Sequence, residues 1–172
     1  MPEPAATIAE SKGPEATQAF AAGLAAVLRA GDLLILSGEL GAGKTTFTQG
    51  LATGMGVRGR VSSPTFILAR EHQAIRPGEP GLVHVDAYRL GGLAELDALD
   101  LDTSLDQAVT VVEWGAALAE SLSSSYLLVE IRRGRGFAAH DGETRLLEVR
   151  GHGPRWEGVD LAGLTPEAAG ER

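Results

Sequence analysis

The sequence predicts an α/β fold, a mostly parallel β-sheet flanked by helices with antiparallel additions towards the C-terminus. Three observations carry that expectation. Short continuous apolar runs recur at 32–37, 82–86 and 109–113, and such runs mark strands buried on both faces, as in a parallel sheet. Stretches with apolar residues three and four apart alternate with them, the pattern of helices laid on sheet faces. Towards the C-terminus, 125–131 and 144–149 read as a strand pair.

The elements follow in order. Residues 16–28 place Ala16, Ala19, Phe20, Gly23, Leu24, Val27 and Leu28 on one helical face. Pro14 sits where a first turn tolerates proline, and Gly31 where a helix stops. DLLILS (32–37) is the first buried strand. GELGAGKTTFTQGLATGMG (38–56) is glycine-rich and then helix-like, with Phe47, Leu51 and Met55 on one side. VSSPTFILAR (61–70) begins as a loop and turns extended; 73–81, with two prolines and two glycines, is a turn or mobile loop. LVHVD (82–86) and VTVVE (109–113) are strands closed by acids. Between them, 93–106 mixes Leu and Ala with five acids and no base, a solvated helical region, and 115–122 is a short helix-like piece. From Gly151 the composition shifts to Gly, Pro and charge, so the expected organisation is one domain over 1–150 and a loosely attached tail over 151–172.

Composition excludes several classes of function. In 172 residues, 15 Lys and Arg against 23 Asp and Glu give a net charge of −8, which argues against coating a phosphate backbone. With no Cys, disulfide scaffolds, cysteine zinc sites and thiol nucleophiles are ruled out. No apolar run is long enough to span a bilayer, and MPEPAATIAE lacks the basic and apolar regions of a signal peptide. The expectation is a cytoplasmic protein with no membrane contact. Only Lys12 and Lys44 are lysines; the other bases are arginines.

Lys44 lies in Gly38-Glu39-Leu40-Gly41-Ala42-Gly43-Lys44-Thr45, which matches G-x-x-x-x-G-K-[ST], the phosphate-binding P-loop. The flanking strand and helix are the context this mechanism needs. Glycines let the backbone turn tightly and aim N–H groups at phosphate, and the helix start adds its positive dipole end. Lys44 is then the β/γ-phosphate ligand and the Thr45 hydroxyl a Mg²⁺ ligand. Thr46 is either a phosphate contact or a plain helix residue. A P-loop also needs an acid at the end of a neighbouring strand, and both Asp86 and Glu113 fit; composition does not choose between them. Guanine recognition by N-K-x-D needs a lysine, and neither Lys12 nor Lys44 supplies it, so ATP is the expected nucleotide. The fold expectation sharpens to a P-loop NTPase-like sheet.

GELGAGKTTFTQG, SSPTF (62–66), HVDAYRL (84–90) and VVEW (111–114), in this order and spacing, closely resemble the TsaE family of bacterial P-loop ATPases. The resemblance runs from about Thr17 to Arg150. It implies a small ATPase required for threonylcarbamoyl modification of the adenosine beside the anticodon in tRNA. It also implies action on a complex of the TsaB and TsaD proteins, with tRNA an indirect partner. By the same resemblance, Thr45 and Glu113 are the Mg²⁺ ligands, and Asp86 is a second essential acid that orders the attacking water or supports the metal shell. Ser63, Pro64 and Thr65 match a loop that senses the γ-phosphate, and Trp114 packs near the nucleotide. Arg145 matches a basic nucleotide contact in the last strands, and Thr17 a position beside the adenine. Two departures stand out: Gly115-Ala116 replaces the family's usual continuation to a second acid, and His72 stands where many members have an aromatic.

Six arginines (Arg132, Arg133, Arg135, Arg145, Arg150, Arg155) lie between 132 and 155 against three acids. They read as solvated strand charges, or as a contact to nucleotide or a docking surface. His84 and His152 have no partners at metal-ligand spacing and read as structural. Two other readings of the P-loop remain: a small-molecule kinase whose Arg132–Arg135 cluster forms a lid, and a nucleotide-dependent interaction module with little turnover.

Overall fold

The computed structural model describes residues 6–62, 69–87, 106–113, 122–134 and 142–164. In chain order these form β1 (Ala6–Lys12), α1 (Pro14–Leu24) continued by a 3₁₀ turn at Ala25–Val27, β2 (Leu33–Ser37), α2 (Lys44–Met55), β3 (Ala69–His72), β4 (Gly81–Asp86), β5 (Ala108–Glu113), β6 (Tyr126–Arg133), β7 (Thr144–His152) and a 3₁₀ turn at Pro154–Trp156. The helical expectations over 93–106 and 115–122 lie outside the described residues, except for their last residues, Asp106 and Leu122. Among the described residues, no helix is long and apolar enough to cross a membrane.

All seven strands join one sheet in the order β1-β7-β6-β2-β5-β4-β3. Its centre is parallel: β2 pairs with both β6 and β5, and β5 pairs with β4. Its ends are antiparallel, β6–β7–β1 on one side and β4–β3 on the other. The α/β expectation therefore holds, and the antiparallel additions go beyond the C-terminus. β1 has no counterpart in the sequence expectations. Its inward residues Thr7, Ala9 and Ser11 are small and mostly polar, so its buried-exposed alternation leaves no apolar signature.

The two sheet faces bury different residues, as the alternation of side chains along a strand requires. Leu34, Leu36, Val109, Val111, Leu127, Val129, Leu147 and Val149 pack with Phe20 and Leu24 of α1 and Phe47 and Leu51 of α2. Leu33, Ile35, Val83, Val85 and Val112 form a second cluster on the opposite face. The two helices cross closely because α2 carries Gly50 and Gly54 against α1. A Cβ on Gly50 would lie 2.3 Å from the Gln18 carbonyl oxygen, and one on Gly54 2.6 Å from that of Ala22.

The expected loose tail from Gly151 is corrected over 151–164. Gly151 and His152 complete β7, and Trp156 and Leu161 are buried in the helix-side core. Arg155 fixes the segment: its Nε lies 2.9 Å from Asp32 Oδ1, its Nη2 donates to Asp32 Oδ2 (3.0 Å) and the Val27 carbonyl (2.7 Å), and its guanidinium lies over the Trp156 ring. A glycine- and charge-rich composition hides these anchors because one Trp and one buried ion pair suffice to dock a short segment. Residues 165–172 lie outside the described residues.

Candidate nucleotide and metal site

β2 ends at Ser37, and the chain turns through Gly38–Gly43 into α2. Gly41 (φ 77°) and Gly43 (φ 112°) take left-handed backbone conformations, which side chains disfavour and glycine accepts. Gly38 passes too close to β6 for any side chain, since a Cβ there would lie 2.6 Å from the Ile131 carbonyl oxygen. Within the loop the Ala42 N–H donates to the Glu39 carbonyl (3.0 Å). α2 begins at Lys44 with no side-chain cap, so the N–H groups of its first turn are open to an anion. Glu39 and Leu40 are exposed at the loop's tip, and Thr46 is half-buried in the first turn.

Parallel pairing of β4 with β5 sets Asp86 directly beside Glu113, each at the C-terminal end of its strand. Both carboxylates point to the helix side and are buried. Lys44 and Thr45 approach them from the start of α2. The Thr45 hydroxyl donates to Glu113 Oε1 at 3.4 Å. Lys44 is itself buried, and its Nζ donates to the carbonyls of Gly38 (2.8 Å) and Glu39 (2.9 Å). Burial pushes the Lys44 ammonium below the usual lysine value, and the fields of Glu113 and Asp86 act in the opposite sense. The structure thus gathers Gly38–Thr46, Asp86 and Glu113 at one end of the sheet.

The flank reaches the same loop from outside. Arg133 of β6 and Arg145 of β7 are opposite one another in the pairing. Arg145 Nε donates to the Ala42 carbonyl (2.9 Å) and Arg133 Nη2 to that of Leu40 (3.4 Å). Arg145 Nη1 also donates to the Gly142 and Thr144 carbonyls. Two arginines therefore hold carbonyls of the Gly38–Gly43 loop. Arg132, Arg133 and Glu130 line a cavity of about 380 Å³ next to Ser37, Gly38 and Glu39. Thr17 is one step further off. Its hydroxyl is engaged by Ser11 Oγ (2.5 Å) and the Gly13 carbonyl (3.4 Å), and Ser11 pairs with Arg145. Thr65, with Ser63 and Pro64, lies outside the described residues, as do Trp114, Gly115, Ala116 and Arg135.

His84 is the residue the sequence reading undervalues. It is fully buried, and its Nε2 lies 3.0 Å from Glu113 Oε1. The signal available in the sequence is its position two residues before Asp86, which puts both on one face of β4. Spacing alone does not show that Glu113 lies diagonally across from it. His72 is buried, and its Nδ1 lies 2.9 Å from the Arg58 carbonyl.

The donor chemistry fits a nucleotide phosphate with Mg²⁺. Hydroxyl and carboxylate oxygens suit this hard cation, which is usually held by one or two carboxylates together with substrate phosphates. Among the described residues no group of three or more His, Cys, Asp and Glu is placed to hold a metal ion.

A family model described as "Threonylcarbamoyl adenosine biosynthesis protein TsaE" matches residues 11–139. The tRNA threonylcarbamoyladenosine biosynthesis protein TsaE of Streptomyces coelicolor is 55% identical over 142 residues, covering 82% of this chain and 94% of that protein. The protein of that name from Bacillus subtilis is 42% identical over 121 residues, 70% of this chain and 73% of its own length. Among solved structures, that of Bacillus subtilis YdiB matches with a TM-score of 0.70 and 32% identity, over 91% of this chain and 93% of that one.

Proposed function

The chain belongs to the TsaE family, and from that premise we propose that it binds and hydrolyses ATP in the service of threonylcarbamoyl modification of tRNA. The base modified is the adenosine next to the anticodon, and this chain works on a complex of TsaB and TsaD rather than on tRNA directly. The observation that best supports this reading is the convergence of Lys44 and Thr45, at the start of α2, on Glu113 and Asp86 at the ends of adjacent parallel strands.

Phosphoryl transfer depends mostly on positioning and on neutralising charge. The loop from Gly38 to Gly43 and the open first turn of α2, Thr46 included, offer backbone N–H groups to the phosphates. Lys44 exchanges its two loop carbonyls for phosphate oxygens. Thr45 and Glu113 would hold Mg²⁺, which would supply positive charge for the phosphate oxygens. Asp86, buried beside Glu113, orders the attacking water or supports the metal shell. Arg145 holds the Ala42 carbonyl and so leaves the loop's N–H groups to the phosphates; it and Thr17 border the nucleotide.

The test compares phosphate release by the chain alone and with TsaB and TsaD, in wild type and Glu113→Ala. Faster turnover with the partners, lost in the variant, is the expected result. Unchanged slow turnover with ATP-dependent complex formation would replace hydrolysis by an interaction module. Labelled phosphate on a small-molecule acceptor would instead make the chain a kinase.

A further inference from the structure

We infer that His84 is a positioning residue for the metal-binding carboxylate: its Nε2–H holds Glu113 Oε1 and aims that side chain at Thr45. The inference deepens the proposed function and rests on the reading of Glu113 as a Mg²⁺ ligand.

Three observations carry it. First, His84 has no exposed surface. Its helix-facing neighbours on β4 and β5 include Leu82, Val109 and Val111, and an imidazole in such company needs a partner. Among the described residues its hydrogen-bond partner is Glu113, 3.0 Å from Nε2, while Nδ1 has none. A carboxylate that ligates Mg²⁺ only accepts, so the tautomer that fits this role carries its proton on Nε2. Second, the pairing fixes the geometry. His84 lies opposite Val111 and Asp86 opposite Glu113, so His84 meets Glu113 on the diagonal, within reach of a long side chain. Third, the oxygen that His84 holds is also the one that accepts from the Thr45 hydroxyl, at 3.4 Å. A glutamate at a strand end has several rotamers; a donor on a neighbouring strand restricts them to those facing α2. Groups that orient a metal ligand in this way typically change metal affinity or activity about 10- to 100-fold when removed.

The test uses the full chain and Mg²⁺ with ADP as probes. Calorimetric titration gives the ADP affinity in EDTA and across a MgCl₂ series, for wild type, His84→Leu, His84→Gln and Glu113→Gln. His84→Leu keeps the volume and removes the donor; His84→Gln restores a donor at similar reach. The expected result is a Mg²⁺ midpoint raised roughly 10-fold or more in His84→Leu and largely recovered in His84→Gln, with ADP affinity in EDTA within about twofold of wild type. A wild-type midpoint in His84→Leu overturns the inference, as does an equal loss of ADP affinity with and without Mg²⁺. If Glu113→Gln leaves the Mg²⁺ response of ADP binding intact, the metal reading of Glu113 itself fails. Should His84→Leu not fold, ¹⁵N spectra of the wild-type imidazoles decide. Adding Mg²⁺ to the ADP complex moves the His84 Nε2 resonance if the inference holds, and an unmoved resonance overturns it.

Discussion

Every residue of β5 is buried, whereas β1 and the first part of β6 alternate buried with more exposed positions. The parallel centre and the antiparallel flank of this one sheet handle polar groups differently as a result. In the centre, where water is excluded, the buried His84, Asp86 and Glu113 gather beside Lys44 at one end of β4 and β5. On the flank, Glu130, Arg132, Glu148 and Arg150 form a ladder of ion pairs across β6 and β7, with both arginines more than half exposed. Burying charge is costly, so the centre concentrates it where phosphate and metal chemistry would use it. The flank keeps most of its charge in water and contributes packing, apart from Arg133 and Arg145 on the phosphate loop.

If that division is sound, flank variants lower stability and spare the chemistry, while centre variants do the reverse. Trp156→Ala tests the flank hardest. Emptying a fully buried site of this size costs about 3–5 kcal/mol, and thermal denaturation should show melting roughly 10 °C or more lower, with ATP turnover of the folded fraction retained. Glu113→Gln tests the centre. Phosphate release should fall about a hundredfold or more, roughly 2.7 kcal/mol of barrier. Its melting temperature should match or exceed wild type, because a buried carboxylate beside Asp86 has become neutral.

Between these extremes lie residues that connect the regions. Gly50→Ala drives a Cβ into the Gln18 backbone, an overpacking cost of about 1–3 kcal/mol, read by denaturant unfolding. Arg145→Ala releases the Ala42 carbonyl and should weaken ADP binding about tenfold by calorimetry, the scale of one charge-assisted hydrogen bond, with little change in melting. A larger loss of stability than of affinity would make Arg145 part of the flank's packing. The smallest effect belongs to the ladder: Arg150→Ala should leave the melting temperature within about 2 °C of wild type.

The same contrast explains what the sequence reveals. β2, β4 and β5 announce themselves because strands buried on both faces must be apolar throughout. The phosphate loop is legible because its glycines and Lys44 answer to a local geometry. β1 is hidden since its inward Thr7, Ala9 and Ser11 carry little hydrophobic signal. The docking of 153–164 is hidden too, resting on Trp156 and on an Arg155–Asp32 pair that joins distant parts of the chain. The His84–Glu113 contact depends on the β4–β5 register, and the helix crossing at Gly50 and Gly54 on a packing angle. Gly50 and Gly54 share a helix face by their spacing of four, but the partner helix each contact needs is not recorded locally.

The most direct measurement is calorimetric titration of the full chain with ATP in the presence of Mg²⁺, in wild type and in a folded Lys44→Ala variant. Stoichiometric binding by wild type that is lost or weakened at least roughly a hundredfold in Lys44→Ala is the outcome expected of a phosphate site built around that lysine. Absent binding by wild type, or equal affinity in the two proteins, would contradict it.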